Sequence, residues 1–268
     1  MHMHISRLLF FCLGLLLLSS CSKYERILKS NDVNYKLTKA NEYYEKKQFH
    51  RANELYQGIL PMVKGTRNFE PMYYRYAWSY YYMKDYLSAS YHFKNFVDFF
   101  PTSRDAEECR YMHAVSLYRL SPKASLDQTN TVKAVEAMQA YINLYPDSKR
   151  LPEANKYMDE ARRKLEQKEA AAAHLYYNIS QYKAAGVAFK NVLRNYPESP
   201  SADYYQFMII KSLYNYARQS VESKQEERYA NAISAFHDFK QEFPDSKYLR
   251  DAEGIFARAD NSLKKLRK

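Results

Sequence analysis

Hydrophobic positions along most of this chain recur at offsets of three and four, the period of one buried helical face, and the pattern itself repeats. Upstream of Pro101 the run is Tyr86, Ala89, Phe93, Phe96 and Phe100; upstream of Pro146 it is Ala134, Met138, Tyr141 and Tyr145. Upstream of Pro197 it is Tyr182, Ala185, Phe189, Val192 and Tyr196, and upstream of Pro244 it is Tyr229, Ala232, Phe236, Phe239 and Phe243. Each run closes on one tag of aromatic, Pro, polar and Ser: Phe100-Pro101-Thr102-Ser103, Tyr145-Pro146-Asp147-Ser148, Tyr196-Pro197-Glu198-Ser199 and Phe243-Pro244-Asp245-Ser246. The prolines stand 45, 51 and 47 residues apart. Proline cannot continue a helix and biases the residue before it away from helical angles. The aromatic residue is expected to close the helix by packing inward, and the serine to N-cap the helix that follows. After Ser199, Pro200 falls at the favoured first helical position. The alanine in each run lets a neighbouring helix come close. No Asn-Gly or Asp-Gly hairpin signal divides alternating apolar runs, and glycine is scarce at 5 residues.

These runs resemble the second helix of the tetratricopeptide repeat (TPR), whose consensus has Tyr, Ala, a bulky apolar residue and Pro at matching intervals. First helices are similar too: Ala77 and Tyr80 precede Tyr86, and Ala173 and Tyr176 precede Tyr182, at the consensus offsets. An earlier unit shows Ala40, Tyr43, Phe49, Ala52, Tyr56 and Ile59 but lacks the closing proline at the expected place. The resemblance implies an all-α fold, a TPR-type α-solenoid of about five helix-turn-helix repeats with a C-terminal capping helix. The repeats are expected at about 33–66, 70–103, 104–148, 149–199 and 200–246, followed by a C-terminal helix over 247–268. Longer connections fall around Ser121–Thr131 and Ser220–Glu227, and Pro152 to about Ile179 reads as one long helix.

The N-terminus has a different character. Arg7 is followed by an apolar run from Leu8 to Leu18, then Ser19, Ser20 and Cys21. That run is far shorter than the roughly 20 residues needed to span a bilayer and fits a removable export signal over residues 1–20. Leu18-Ser19-Ser20-Cys21 resembles the lipobox of bacterial lipoproteins, in which the cysteine sulfur takes a diacylglycerol thioether; this implies lipidation at Cys21 and a lipidated linker over 21–32. Several acyl chains anchor stably where one is marginal. The whole chain carries 41 Lys+Arg against 30 Asp+Glu, and only Arg7 lies in the signal. The excess of cations suits anionic surfaces or acidic partners; no motif that reads nucleic acid is present. Cys12 leaves with the signal and Cys21 is acylated, so Cys109 has no cysteine partner within the mature chain.

Irregular TPR units behind a lipobox resemble the BamD family, lipoprotein subunits of the outer-membrane β-barrel assembly machinery. The similarity is strongest over Ala171-Ala172-Ala173-His174-Leu175-Tyr176-Tyr177, Tyr182-Lys183-Ala184-Ala185 and Val192-Leu193-Arg194-Asn195-Tyr196-Pro197. It implies a periplasm-facing adaptor at the outer membrane. Its partners would be the periplasmic domains of the barrel-forming subunit, unfolded outer-membrane proteins and, through the lipid anchor, the membrane. Ser22 after Cys21 is compatible with outer-membrane sorting. A second reading is another TPR lipoprotein adaptor, serving a cell-wall hydrolase, secretion or gliding apparatus.

Catalysis is not expected, and neither a cofactor nor a metal is implied. The histidines at 50, 92, 113, 174 and 237 are widely separated, and no zinc-ligand spacing, phosphate loop or nucleophile elbow occurs. Cys109 sits beside Glu107 and Glu108, surroundings that disfavour a reactive thiolate. One stretch carries a dense set of rings: Tyr73, Tyr74, Tyr76, Trp78, Tyr80, Tyr81 and Tyr82. Tyr73, Tyr74, Tyr80 and Tyr81 are candidates for a peptide-binding groove, since tyrosine offers apolar area with a polar tip; the competing reading is packing between repeats. The run Lys264-Lys265-Leu266-Arg267-Lys268 reads as a solvated helix end, favourable against the helix dipole, or as a lipid head-group contact.

Overall fold

The computed structural model describes residues 23–267, and every regular element among them is helical. A short helix α1 (residues 23–28) precedes α2 (Val33–Glu45), α3 (Phe49–Val63), α4 (Phe69–Tyr82), α5 (Tyr86–Phe99), α6 (Ala106–Leu120) and α7 (Thr129–Leu144). Then follow α8 (Leu151–Asn178), α9 (Tyr182–Asn195), α10 (Ala202–Arg218), α11 (Glu222–Glu242) and α12 (Leu249–Leu266). Helices adjacent in sequence pack on one another from α2 to α7 and again from α9 to α12, and α10 also meets α12. The contacts divide into two units. The first holds the described residues up to Pro122 together with Thr129–Ala161, and the second holds Lys123–Gln128 and the residues from Arg162 onward.

The alanines that punctuate the apolar runs do what their size dictates. Ala40, Ala52, Ala77 and Ala89 are fully enclosed in the first unit and Ala173 and Ala185 in the second, so the backbones they carry approach closely. Around them lie the bulky members of the same runs, Tyr56, Phe93, Phe96 and Tyr141 in one core and Phe189 and Phe239 in the other, the latter joined by Ile210 of α10. The tag aromatics are less enclosed: Tyr196 is buried, whereas Phe100, Tyr145 and Phe243 are half-buried.

The tag serines have a different role from the one expected of an N-cap. The following helices begin three residues later, at Ala106, Leu151, Ala202 and Leu249, so Pro200 lies in a turn rather than at a first helical position. Each hydroxyl accepts the N–H two residues on, from Asp105 at 3.1 Å, Arg150 at 3.1 Å, Ser201 at 3.0 Å and Tyr248 at 3.1 Å. Each also donates to an acid on a preceding helix: Ser103 to Glu70 at 2.6 Å, Ser148 to Glu107 at 2.5 Å, Ser199 to Glu166 at 2.5 Å and Ser246 to Asp203 at 2.8 Å. The serine therefore caps the turn and clasps it to a neighbouring helix, and hydrogen bonds to a charged partner are the stronger kind. The earliest repeat closes on a related turn without the proline, in which the Thr66 hydroxyl donates to the Val63 carbonyl at 2.7 Å and clasps no acid. Thr66 accepts from the backbone N–H of Asn68 at 3.3 Å, the Phe69 N–H reaches the Thr66 carbonyl at 3.0 Å, and Gly65 supplies the left-handed backbone (φ 84°).

Within the pairs α2–α3, α4–α5 and α8–α9 the connections are identical in form. Lys47, Lys84 and Ser180 take positive φ. In the first, the Lys47 N–H bonds the Tyr44 carbonyl at 2.9 Å and the Gln48 N–H the Tyr43 carbonyl at 2.8 Å, the paired bonds of a Schellman turn. The long helix expected from Pro152 is α8. The connection expected to be long around Ser220–Glu227 is short, because α11 starts at Glu222 and takes up the extra length as helix.

Candidate functional site

The aromatic run of the sequence lies on α4, and the helical period splits it into two stripes about 150° apart. Residues 73, 76 and 80 form one and residues 74, 78, 81 and 82 the other. The first stripe closes around His92 of α5. The Tyr73 hydroxyl meets His92 Nδ1 at 2.9 Å, the Tyr76 and Tyr80 hydroxyls meet at 2.9 Å, and Tyr80 stacks on the imidazole at 4.9 Å. Tyr73 is only 3% exposed, wedged between Phe69, Tyr76 and Phe99. It is a core residue, and its expected place in a groove is corrected: a ring facing the adjacent helix buries more apolar area there than in an open channel. Burial holds the His92 imidazole down at about 4, so the ring is neutral near pH 7.

The second stripe stays nearer the surface. Trp78 packs edge-on to Phe93 at 5.3 Å and stacks with Tyr82 at 5.3 Å, while Tyr74 and Tyr81 flank the indole at 6.3 and 5.5 Å. Tyr82 is 46% exposed and stacks on Phe49 of α3 at 4.4 Å; Tyr74, Tyr80 and Tyr81 are half-buried. The four tyrosines singled out in the sequence are therefore not one surface. Tyr74 and Tyr81 share a stripe, Tyr80 belongs to the His92 stripe, and Tyr73 is enclosed.

The structure adds residues that the sequence did not single out. Arg119 of α6 bonds the Tyr81 side chain and lies over the Tyr157 ring of α8 at 5.9 Å, and Tyr118 of α6 packs on Tyr157 at 4.7 Å. Tyr74, Tyr81, Arg119 and Tyr157 thus come from alternate helices, α4, α6 and the start of α8, all in the first unit. The signal that finds them is registration of the first helices against each other, since Tyr81, Tyr118 and Arg119 stand near the end of theirs. These residues offer flat apolar area, phenol tips and the guanidinium of Arg119, with the acids Asp105, Glu107 and Glu108 beside Tyr74. Burial lifts the Tyr74 phenol to about 12, so it acts as a neutral hydrogen-bonding group.

Cys109 lies fully buried in the first unit, and burial raises its thiol well above the ordinary range, with Asp105 and Glu108 adding to the effect. It is a packing residue. Cys21, Lys268 and the signal over 1–20 lie outside the described residues. Among the described residues no helix is long and apolar enough to cross a membrane, and the acids, histidines and cysteine nowhere gather into a metal-holding group. Lys264 pairs with Asp260 at 2.6 Å and Arg267 with Glu226 at 2.8 Å, at the exposed end of α12.

A protein of Aquifex aeolicus (strain VF5), provisionally named outer membrane protein assembly factor BamD, is 26% identical over 203 residues, covering 75% of this chain and 66% of that protein. Among solved structures, the TPR2AB domain of yeast Sti1 in its pHSP90 complex is 14% identical with a TM-score of 0.39, covering 85% of this chain and 98% of that one. The apo form of RapI is 14% identical with a TM-score of 0.35, covering 87% and 80%. Scores this low leave the fold to the helix pairing described above. The family described as YfiO, outer membrane lipoprotein, matches residues 30–202 and 176–266. Almost the whole described chain is covered by these two spans, and the chain belongs to the YfiO family of outer membrane lipoproteins.

Proposed function

We propose that this chain is a lipid-anchored scaffold of the outer-membrane β-barrel assembly machinery, held by acylated Cys21 at the outer membrane and facing the periplasm. The observation that carries the proposal is the family match across residues 30–266, joined to the lipobox before Cys21. The relative named as an assembly factor supports it, with the alignment spanning 66% of that protein's length. In this reading α2–α3, α4–α5, α6–α7, α8–α9 and α10–α11 are five repeats over 33–246, and α12 is the cap. The protein works by binding alone: it docks on periplasmic domains of the barrel-forming subunit and receives unfolded outer-membrane proteins.

The surface of Tyr74, Tyr81, Arg119 and Tyr157 supports a role in receiving clients. Rings from a client segment stack on the tyrosines, which lose little side-chain entropy, and a terminal carboxylate pairs with Arg119. Two measurements test the proposal. The acylated protein, isolated from detergent extracts, is expected to bring the barrel-forming subunit with it; consistent absence of that subunit by mass spectrometry overturns the assembly role. A peptide from the C-terminus of a β-barrel protein is expected to bind the Tyr74→Ser/Tyr81→Ser variant at least tenfold more weakly. Unchanged affinity in a folded variant removes the client surface and leaves the assembly role standing.

A further inference from the structure

The second unit carries a cleft that is separate from the client surface proposed above. It lies between α10 and α12 and is lined by Lys211, Tyr214, Asn215 and Arg218 from one helix and Ile255 and Arg258 from the other. Three cations converge there, and no carboxylate is among the lining residues. Ion pairs among the described residues join other groups and include none of these three. At the C-terminal end of α12, by comparison, Lys264 has Asp260 and Arg267 has Glu226.

Aromatic faces hold the cations in place. Arg218 and Arg258 lie about one ring, Tyr214, at 5.8 and 5.7 Å from its centroid. Lys211 sits 5.4 Å from both Tyr177 of α8 and Phe207. The Asn215 amide donates to the Tyr177 hydroxyl at 3.0 Å, so both amide and ring are oriented. Ring faces attract cations modestly and do not neutralise them. Three like charges in one cleft repel, and an anion that enters relieves the repulsion.

We propose that this cleft binds an acidic polypeptide segment of a partner protein, through carboxylates that pair with Arg218, Arg258 and Lys211 and an apolar or aromatic side chain that seats on Ile255 and Tyr214. Guanidinium groups take carboxylates in bidentate geometry. With Ile255 and Tyr214 as an apolar floor, Lys211 half-buried and Arg218 and Arg258 exposed at the rim, the cleft suits carboxylates that flank an apolar side chain, a combination a polypeptide offers and a lipid head group does not. The partner surface is one where acids alternate with aromatic residues. The inference concerns the second unit and does not depend on the function proposed above.

The test uses the full acylated chain in detergent and a fluorescein-labelled peptide alternating Glu with Tyr, followed by fluorescence anisotropy at low and high salt. Binding is expected with the Glu peptide and not with its Gln counterpart, and it weakens as salt rises. Arg218→Ser/Arg258→Ser is expected to weaken it at least tenfold, and Lys211→Gln severalfold. Lys264→Ser/Lys265→Ser, which removes as much charge from the other end of α12, leaves it within twofold. Equal losses in both double variants reduce the effect to net charge and overturn the site, as does undiminished binding without the two arginines. Dihexanoyl phosphatidylglycerol displacing the peptide at concentrations below the peptide's own affinity assigns the cleft to lipid and overturns the polypeptide proposal. Near-ultraviolet circular dichroism confirms that each variant keeps its fold.

Discussion

His92 stands between the Tyr73 hydroxyl and the Tyr80 ring, and burial holds its protonation near pH 4 against an ordinary 6.5. Above pH 6.5 the imidazole is neutral in both the folded and the unfolded chain. Between 6.5 and about 4 the unfolded chain takes up a proton that the folded chain refuses, so stability falls as pH falls through that window. The thermal midpoint is expected to drop across it, and His92→Gln to flatten the slope by about one proton; an unchanged slope refutes the assignment. Ser148 tests the clasp at the same scale. Its hydroxyl joins Glu107, Tyr141 and the Arg150 N–H, so Ser148→Ala is expected to cost about 1–3 kcal/mol in urea unfolding. A loss near zero would mean water replaces the hydroxyl. Tyr73 shows why the groove reading needed coordinates. The residue type and its place in the aromatic run were visible in the sequence, but which stripe faces α5 depends on the rotation of α4 against its neighbour.

Among the elements, the turns divide into those legible in sequence and those not. The proline tags marked every helix end they follow, because proline acts through its own covalent geometry. The Schellman turns at Lys47, Lys84 and Ser180 carried no such mark. A non-glycine residue in the left-handed region costs roughly 1–2 kcal/mol, and the Tyr-Tyr carbonyls that accept the two bonds are indistinguishable in sequence from any helical pair. Lys84→Gly relieves this strain and is expected to raise the thermal midpoint by a few degrees, as about 1 kcal/mol does in a chain of this size. A lowered midpoint would show that the Lys84 side chain contributes more than its backbone costs. The threonine turn at Thr66 was hidden for a related reason: Lys64 stands where the tags have proline, and a left-handed Gly65 turns the chain in its place.

At the scale of the whole molecule, two cores form because the apolar runs fall into two sets that pack internally, one ending at Ala161 and the other beginning at Arg162, both within α8. No pattern in α8 announces that boundary, since it arises from which helices meet. The anchor belongs to this scale too. With Cys21→Ala the chain is expected in the soluble fraction after osmotic lysis and carbonate washing, whereas the parent chain stays with outer membranes. A Cys21→Ala chain retained in membranes would sink the lipid tether. The net charge of +11 is informative only once placed: Lys264 and Arg267 at the end of α12 have acidic partners, and the three cations that converge in the α10–α12 cleft are in no ion pair among the described residues.

Helical periodicity, the tag, the repeating alanines and the lipobox are local properties of the chain, encoded within about 20 consecutive residues each, and they determined the all-α repeat class and the family resemblance without coordinates. Tertiary structure decided which face of α4 is core, which acid each tag serine clasps, where the two cores separate, and which cations converge without a counter-charge. Each of these depends on distances between residues on different helices, about 15 to more than 40 apart in sequence, set by how helices rotate and seat against one another, and one chain's linear pattern holds no measure of that rotation.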